Sequence, residues 1–275
     1  MCRMIAATGT FDPARLAGAL RTMACNANAG HPHEYRARGD AHRHEDGWGA
    51  VWLENGALRT RRSIAPCFED PSLDEIGTLR TRLLVLHARR ASRGGASMRN
   101  THPFVIEWKG SQWTFVHNGQ VDDLGPLVRL PGIPFAGDTD SERLFHHLLA
   151  RFDRADRVPS LLGTLAEIER YTSMNAFLVA HDRFYAIAWA DPKTTRPQYF
   201  TLWEGRGDDL RVVSSEPVPD IGCEWAPLGS GAFDAPPLST PADRPHDAMD
   251  TRAHGLASDA APKHALMEIP VLDSR

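Results

Sequence analysis

The order of the apolar segments limits the fold of this chain more than any other feature. Residues 3–8 (RMIAAT) read as a buried strand, and Pro13 to Ala24 (PARLAGALRTMA) has helical spacing with proline suited to the first helical position. WGAVWLENGALRTRR predicts two strands around the Asn55-Gly56 turn, and TLRTRLLVLHARRAS ends in a central strand. SQWTFVHNGQV reads as a further strand running into a turn. TDSERLFHHLLARF predicts a helix, with Leu144, Leu148 and Phe152 on one face and Phe145 and Leu149 beside them. A second helix is expected from about Leu161 to Tyr171, followed by strands at NAFLVAHD, RFYAIAWA, QYFTLW and LRVVSS. The helices stand between two sets of strands and do not alternate with them one by one. That order predicts a layered α+β sandwich and not a doubly wound sheet.

The 275 residues suffice for a sizeable core. With 31 Lys+Arg against 35 Asp+Glu, the net charge of −4 offers neither a basic stripe for nucleic acid nor an acidic block. The apolar runs fall short of the roughly 18 residues of a membrane helix, and the first residues lack the pattern of a secretory leader. Cys2, Cys25, Cys67 and Cys223 form no CxxC pair, as expected of reduced thiols in a cytoplasmic protein. Between Cys25 and Gly47 the chain is polar and rich in histidine, which predicts a long surface loop of functional kind. From Gly231 the composition shifts to Pro, Ala and Asp. Two regions are therefore expected: a domain over 2–230, and an extended or disordered tail over 231–275 that docks, if at all, through MEIPVL.

Four short stretches carry chemistry, and each also has a plain structural explanation. Cys2 lies directly behind Met1. Once Met1 is trimmed, one residue holds both a thiol and a free α-amine. The thiolate is the nucleophile, and a free thiol titrates at about pH 8.5. The amine, at about 7.7–8.0, can accept the thiol proton and return it to a leaving amine. The alternative is an arbitrary second residue. HNG, at His117 to Gly119, suits a hairpin turn. It also suits an oxyanion site made of an Asn amide and a Gly N–H that can approach closely. LHARRASRG places Arg89 just past a strand end, where a guanidinium can grip an α-carboxylate through two parallel hydrogen bonds. A solvated basic loop with Arg90 and Arg93 explains it equally. In GDTDSE, Thr139 and Glu142 fit a capping box, and Asp140 suits the helix dipole or a substrate ammonium.

Taken together, Cys2 behind Met1, HEDGWG (44–49), HARRAS (87–92), NTHPF (100–104), HNG and TDSE appear in one order. This succession resembles the class II glutamine amidotransferase domain of the N-terminal-nucleophile (Ntn) hydrolases. It is most similar to stand-alone bacterial members that carry HxDGWG, HxRxAxRG, NTHPF, HNGQ and TDSE. The likeness covers residues 2–220, with SSEP (214–217) near its end. It implies an α+β fold, a four-layer αββα sandwich of two antiparallel sheets between helical layers. It also implies Cys2 as nucleophile with its own amine as base, and Asn118 and Gly119 as the oxyanion hole. Arg89 would bind the glutamine carboxylate and Asp140 its ammonium, while HEDGWG and NTHPF would form the pocket. No cofactor or metal is implied. The implied reaction is hydrolysis of glutamine or a γ-glutamyl amide through a thioester, releasing ammonia or an amine. Many relatives join this domain to a synthase. Too little chain follows for one here, so the expected partners are a small-molecule substrate and, where ammonia is passed on, a separate synthase subunit.

Three other readings compete. Cys25, His31, His33, His42, His44, Glu45 and Asp46 are zinc-ligand types, without the spacing of a zinc motif. A chain that keeps Met1 would be a non-catalytic partner, a fold retained for binding, whereas a trimmed one could instead be the ammonia-supplying subunit of a separate synthase. An N-terminal-cysteine hydrolase of bile-acid or penicillin-type amides would not need HNG together with TDSE. His146 and His147 are expected at the surface or in packing, and Cys67 and Cys223 are expected to be inert.

Overall fold

A computed structural model describes residues 1–180, 183–228 and 264–270. Strand β1 (Arg3–Gly9) leads into helix α1 (Pro13–Ala24), and β2 (Trp48–Glu54) and β3 (Ala57–Ser63) form the expected hairpin. The short helix α2 (Leu73–Ile76) and strand β4 (Leu83–Ala88) follow. Next come β5 (Phe104–Trp108), β6 (Ser111–Val121), α3 (Asp140–Arg151), α4 (Arg157–Ala166), β7 (Tyr171–Ala180) and β8 (Arg183–Trp189). The short helix α5 (Pro197–Phe200), β9 (Trp203–Gly207), β10 (Leu210–Ser214), β11 (Glu224–Pro227) and β12 (His264–Pro270) complete the described chain.

The strands make two wholly antiparallel sheets, ordered β11-β9-β10-β1-β4-β2-β3 and β12-β8-β7-β6-β5. Side-chain alternation along β1 shows how they stack. Ile5 and Ala7 pack with Leu16, Leu20 and Met23 of α1 on the outer face. Met4 and Ala6 face the other way, in a core shared with Val116, Phe177 and Val179 of the second sheet. The opposite face of the second sheet packs Phe115 and Leu178 against Leu144, Phe145 and Leu148 of α3 and Leu161 of α4. The layers are therefore helix, sheet, sheet, helix: the α+β sandwich expected from the sequence.

Three local expectations need correction. HNG is not a turn: His117, Asn118 and Gly119 lie inside β6, paired with Ala176, Asn175 and Met174 of β7. The second helix stops at Ala166, and Tyr171 opens β7 opposite Val121. Ile168 and Tyr171 reach the same core from a turn and a strand, which imitates helical periodicity. QYFTLW is not one strand. Pro197 starts a single helical turn, which Asn175 secures by donating its Nδ2–H to the Phe200 carbonyl at 2.5 Å. Residues 229–263 and 271–275, most of the expected tail, lie outside the described residues. Between them, β12 pairs along β8 from His264 to Pro270.

Candidate active site

Strand β1 lies between β4 and β10, which places its first residues at one end of the sandwich, with Arg3 opposite Ala88. There Cys2 meets the second sheet. Its backbone N–H donates to Asn118 Oδ1 at 2.7 Å, and its Sγ lies 3.9 Å from the Arg90 carbonyl oxygen. Asn118 is fully buried, and its Nδ2 has no hydrogen-bond partner among the described residues. A buried amide donor without a partner costs free energy on the order of 1–3 kcal/mol. It stands beside the thiol-bearing residue as a donor awaiting an acceptor. Gly119 follows in the strand, and a Cβ there would overlap the Ser173 carbonyl oxygen across the ladder, so only glycine fits.

His117 ties this strand to the third element of the site. The Ser173 carbonyl, 3.1 Å from Nε2, can only accept, so Nε2 carries the proton and Nδ1 accepts from the Ser141 hydroxyl at 2.9 Å. Ser141 follows Asp140 at the start of α3, where Thr139 caps the Glu142 N–H. The capping box is only half made, because the Glu142 carboxylate turns back to the Ala136 and Gly137 N–H groups. Asp140 is buried, and its Oδ2 accepts from the Val121 N–H at 2.8 Å.

The HEDGWG segment holds Arg89. Asp46 N–H donates to the Arg89 carbonyl, Arg89 N–H to the Gly47 carbonyl, and Ala91 N–H to the Asp46 carboxylate. The guanidinium is buried and spans the 93–95 loop, donating to the carbonyls of Arg93 (3.0 Å), Gly94 (3.1 Å) and Gly95 (3.4 Å). Asn100 of NTHPF bonds the same loop at Gly95 and accepts from the Asp138 N–H. Met1 completes the picture. Its ammonium donates to the Arg90 carbonyl, and burial lowers its pKa from the ordinary amine value. Cys2 and Asp140 oppose that fall, whereas Arg90 and Arg89 add to it. Cys2, Asn118, Gly119, Arg89 and Asp140 thus converge on one end of the sandwich.

Several residues of the site escape a reading of the sequence. Arg3, fully buried, pairs with Glu216 at 3.1 Å, donates to the Tyr199 carbonyl at 3.1 Å and lies over the Tyr199 ring. Glu216 also receives Arg36 at 3.2 Å and lies 3.4 Å from His33 Nε2. Burial pushes its carboxyl pKa up, but Arg3, His33 and Arg36 outweigh that and hold it below the usual value. An arginine inside a buried strand is itself a signal that a carboxylate must lie opposite, and SSEP supplies it. The histidines of the 25–47 loop are not at the surface. His42 stacks on Tyr35 with ring centroids 3.9 Å apart, His44 Nε2 meets the Tyr199 hydroxyl at 3.2 Å, and His31 packs on Trp203. Among the described residues, no group of three or more His, Cys, Asp or Glu side chains is placed to hold a metal ion. Cys67 and Cys223 lie away from Cys2 in the packing beneath α1, and burial raises their thiols to about 12 and about 11. His146 and His147 are packing residues whose Nδ1 atoms accept from the Leu130 and Val128 N–H groups. No described helix is long and apolar enough to cross a membrane.

Two antiparallel sheets between helical layers, with Cys2 just ahead of the central strand β1, make an α+β sandwich of the Ntn-hydrolase kind. Residues 19–188 match the family described as class-II glutamine amidotransferases, and the chain belongs to that family. YafJ of Escherichia coli is 35% identical over 130 residues, 46% of this chain and 50% of YafJ. The chain spans about half the length of the curated relatives it matches. The fold is shared with glutamine phosphoribosylpyrophosphate amidotransferase from B. subtilis, at a TM-score of 0.59 and 15% identity over 82% of this chain and 45% of that one. A glutamine aminotransferase class-II domain protein from Silicibacter pomeroyi superposes at a TM-score of 0.52 and 20% identity, over 82% of this chain and 91% of that one.

Proposed function

We propose that this protein hydrolyses glutamine or a related γ-glutamyl amide, with Cys2 as an N-terminal nucleophile once Met1 has been removed. One observation carries the reading. Asn118 engages the Cys2 nitrogen through Oδ1 and leaves Nδ2 buried and unpartnered beside the same residue.

In the trimmed chain the Cys2 nitrogen is an amine that still donates to Asn118 Oδ1 and keeps a lone pair. Arg89 receives the carboxylate of the γ-glutamyl group and Asp140 its ammonium. The amine takes the thiol proton, and sulfur attacks the amide carbon. The new C–S bond converts the carbonyl oxygen to an oxyanion, held by Asn118 Nδ2 and the Gly119 N–H. As the C–N bond breaks, the α-ammonium returns its proton to the departing nitrogen. Water then adds to the thioester, the α-amine accepts its proton, and cleavage of the C–S bond releases glutamate and regenerates the thiol.

Cys2→Ala is expected to abolish glutamate release while the circular dichroism spectrum stays that of the folded chain. A glutamine-mimicking electrophile is expected to label Cys2 alone, as read by peptide mass spectrometry. Glutamate release at the wild-type rate by Cys2→Ala, or labelling at Cys25, Cys67 or Cys223, overturns the reading.

A further inference from the structure

In the reaction proposed above, the nucleophile and the oxyanion donors belong to different sheets. Cys2 stands just ahead of β1 in the first, and Asn118 and Gly119 lie in β6 of the second. Between the sheets, Met4 and Ala6 of β1 and Leu83 and Val85 of β4 face Val116, Phe177 and Val179. Apolar packing of this kind is non-directional and does little to stop one sheet from sliding on the other. The chemistry needs finer placement: a shift of about 1 Å at the reacting atoms can cost on the order of a hundredfold in rate.

His87 supplies a directional tie. Alternation along β4 sets it on the inner face with Leu83 and Val85, and it stands opposite Met4 of β1. Its Nε2 lies 3.2 Å from the His117 carbonyl oxygen, on the other sheet. That bond falls where β6 has lost a neighbour, because β5 reaches no further along β6 than Phe115. The carbonyl can only accept, so Nε2 carries the proton. Nδ1 is buried without a partner among the described residues, so the imidazole is held through one nitrogen alone. The ring itself is fully buried, with His102 packed on it at 4.3 Å. Burial lowers its pKa to about 3, a fall opposed by the His117 carbonyl and furthered by Arg89 and the Met1 ammonium. His87 is therefore a neutral donor near pH 7. The carbonyl it holds belongs to the peptide that leads into Asn118, directly ahead of the two proposed oxyanion donors.

We propose that His87 is a positioning residue: by donating from Nε2 to the His117 carbonyl across the two sheets, it fixes Asn118 and Gly119 relative to Cys2. This rests on the reading of Cys2 as nucleophile and adds the group that sets its distance from the oxyanion donors.

The test uses the full-length protein with glutamine as substrate, after intact-mass measurement of Met1 removal. His87→Leu keeps an apolar filling but no donor, whereas His87→Gln carries an N–H at the reach of Nε2. His87→Leu is expected to lower kcat by about tenfold to a hundredfold with KM within about twofold, because Arg89 and Asp140 still hold the amino-acid end of the substrate. His87→Gln is expected to return kcat to within about threefold of the wild type. Alkylation of Cys2 by iodoacetamide, mapped by peptide mass spectrometry, displaces iodide without forming an oxyanion. It is expected to proceed at the wild-type rate in both variants. If His87→Leu fails to fold, His87→Asn decides instead: its amide reaches only the place of Nδ1, and the same loss of kcat is expected. Wild-type kcat without the donor overturns the inference. So does a His87→Gln protein as slow as the donorless one, or Cys2 alkylation that falls in step with kcat. Each of these leaves the Cys2 mechanism standing. If the wild type releases no glutamate and Cys2 escapes the glutamine-mimicking electrophile, the mechanism falls and this inference with it.

Discussion

In the proposed reaction Asn118 carries two roles in one side chain. Its oxygen orients the Cys2 nitrogen, and its NH2 group is the donor left over. The two ends can be separated by mutation. Asn118→Ala removes both and is expected to lower kcat by roughly 10²–10³, the usual cost of an oxyanion donor. Asn118→Asp keeps an acceptor for the Cys2 nitrogen but sets a negative oxygen where the proposed reaction would form its oxyanion. Its kcat, measured with the same substrate, is expected to fall at least as far. If Asn118→Asp retains wild-type kcat, Nδ2 has no part in the reaction. HNG in the sequence announces the residue types without their setting. Asn-Gly favours a tight turn just as well, and only the pairing of Asn118 with Asn175 of β7 shows that the dipeptide lies in a strand. Arg3 is similar: its burial follows from its place in β1, but its partner Glu216 comes from the far end of the domain.

The loop between Cys25 and Gly47 is the element whose character composition least reveals. Its histidines suggest a solvated or metal-binding stretch, yet His31, His33, His42 and His44 are buried as neutral rings among Tyr35, Tyr199 and Trp203. Tyr199 and Trp203 enter the chain long after the loop, so no local pattern announces the cluster. Burial lowers the pKa of all four, that of His42 to about 3. The sign of the linkage follows. The unfolded chain binds protons at these rings below about pH 6.5, and the folded chain binds them only at lower pH, His42 and His44 lowest of the four. Stability is therefore present in full above about pH 6.5 and lost progressively as pH falls below it. Glu216, held below its usual value, adds a further loss only as the pH drops beneath about 4.3. Urea midpoints measured from pH 8 to pH 5 are expected to be level at first and then to decline, ahead of the carboxylates. Both ring nitrogens of His42 lack a partner among the described residues. His42→Phe, which keeps a ring on Tyr35, is thus expected to hold or raise stability at pH 7, by up to about 1–3 kcal/mol, and to flatten the decline. A midpoint that stays level to pH 5 in the wild type contradicts this account.

For the whole molecule, the order of strands and helices was enough to indicate a layered sandwich, because each apolar face must find a layer to cover it. Which strands become neighbours was less open to inspection. β1 lies between β4 and β10, elements far from it in the chain, and antiparallel strands separated by loops leave several such arrangements open. The C-terminal segment is the extreme case. MEIPVL stands out only as an apolar patch after a long polar stretch, yet β12 closes the second sheet by covering the free edge of β8. It buries Leu266 against the helical side and Ala265 and Ile269 in the core between the sheets. Its Glu268 carboxylate lies 3.3 Å from Arg157 and 3.1 Å from Arg183, and accepts the Tyr185 hydroxyl at 3.2 Å. Deletion of residues 264–275 exposes two large apolar side chains' worth of core, each worth about 1.5–3 kcal/mol. It also leaves the β8 ladder without a partner, an open edge of the kind that recruits other chains. At about 2–4 °C per kcal/mol for a domain of this size, Tm is expected to fall by on the order of 10 °C, with aggregation on heating. β7, which carries Asn175 opposite Asn118, is separated from β12 by β8. Below the lowered Tm the electrophile should therefore still label Cys2 in the truncated protein. An unchanged Tm means that β12 is not part of the cooperative unit, whereas loss of labelling in the folded truncated chain means that this edge strand reaches the active end through the sheet.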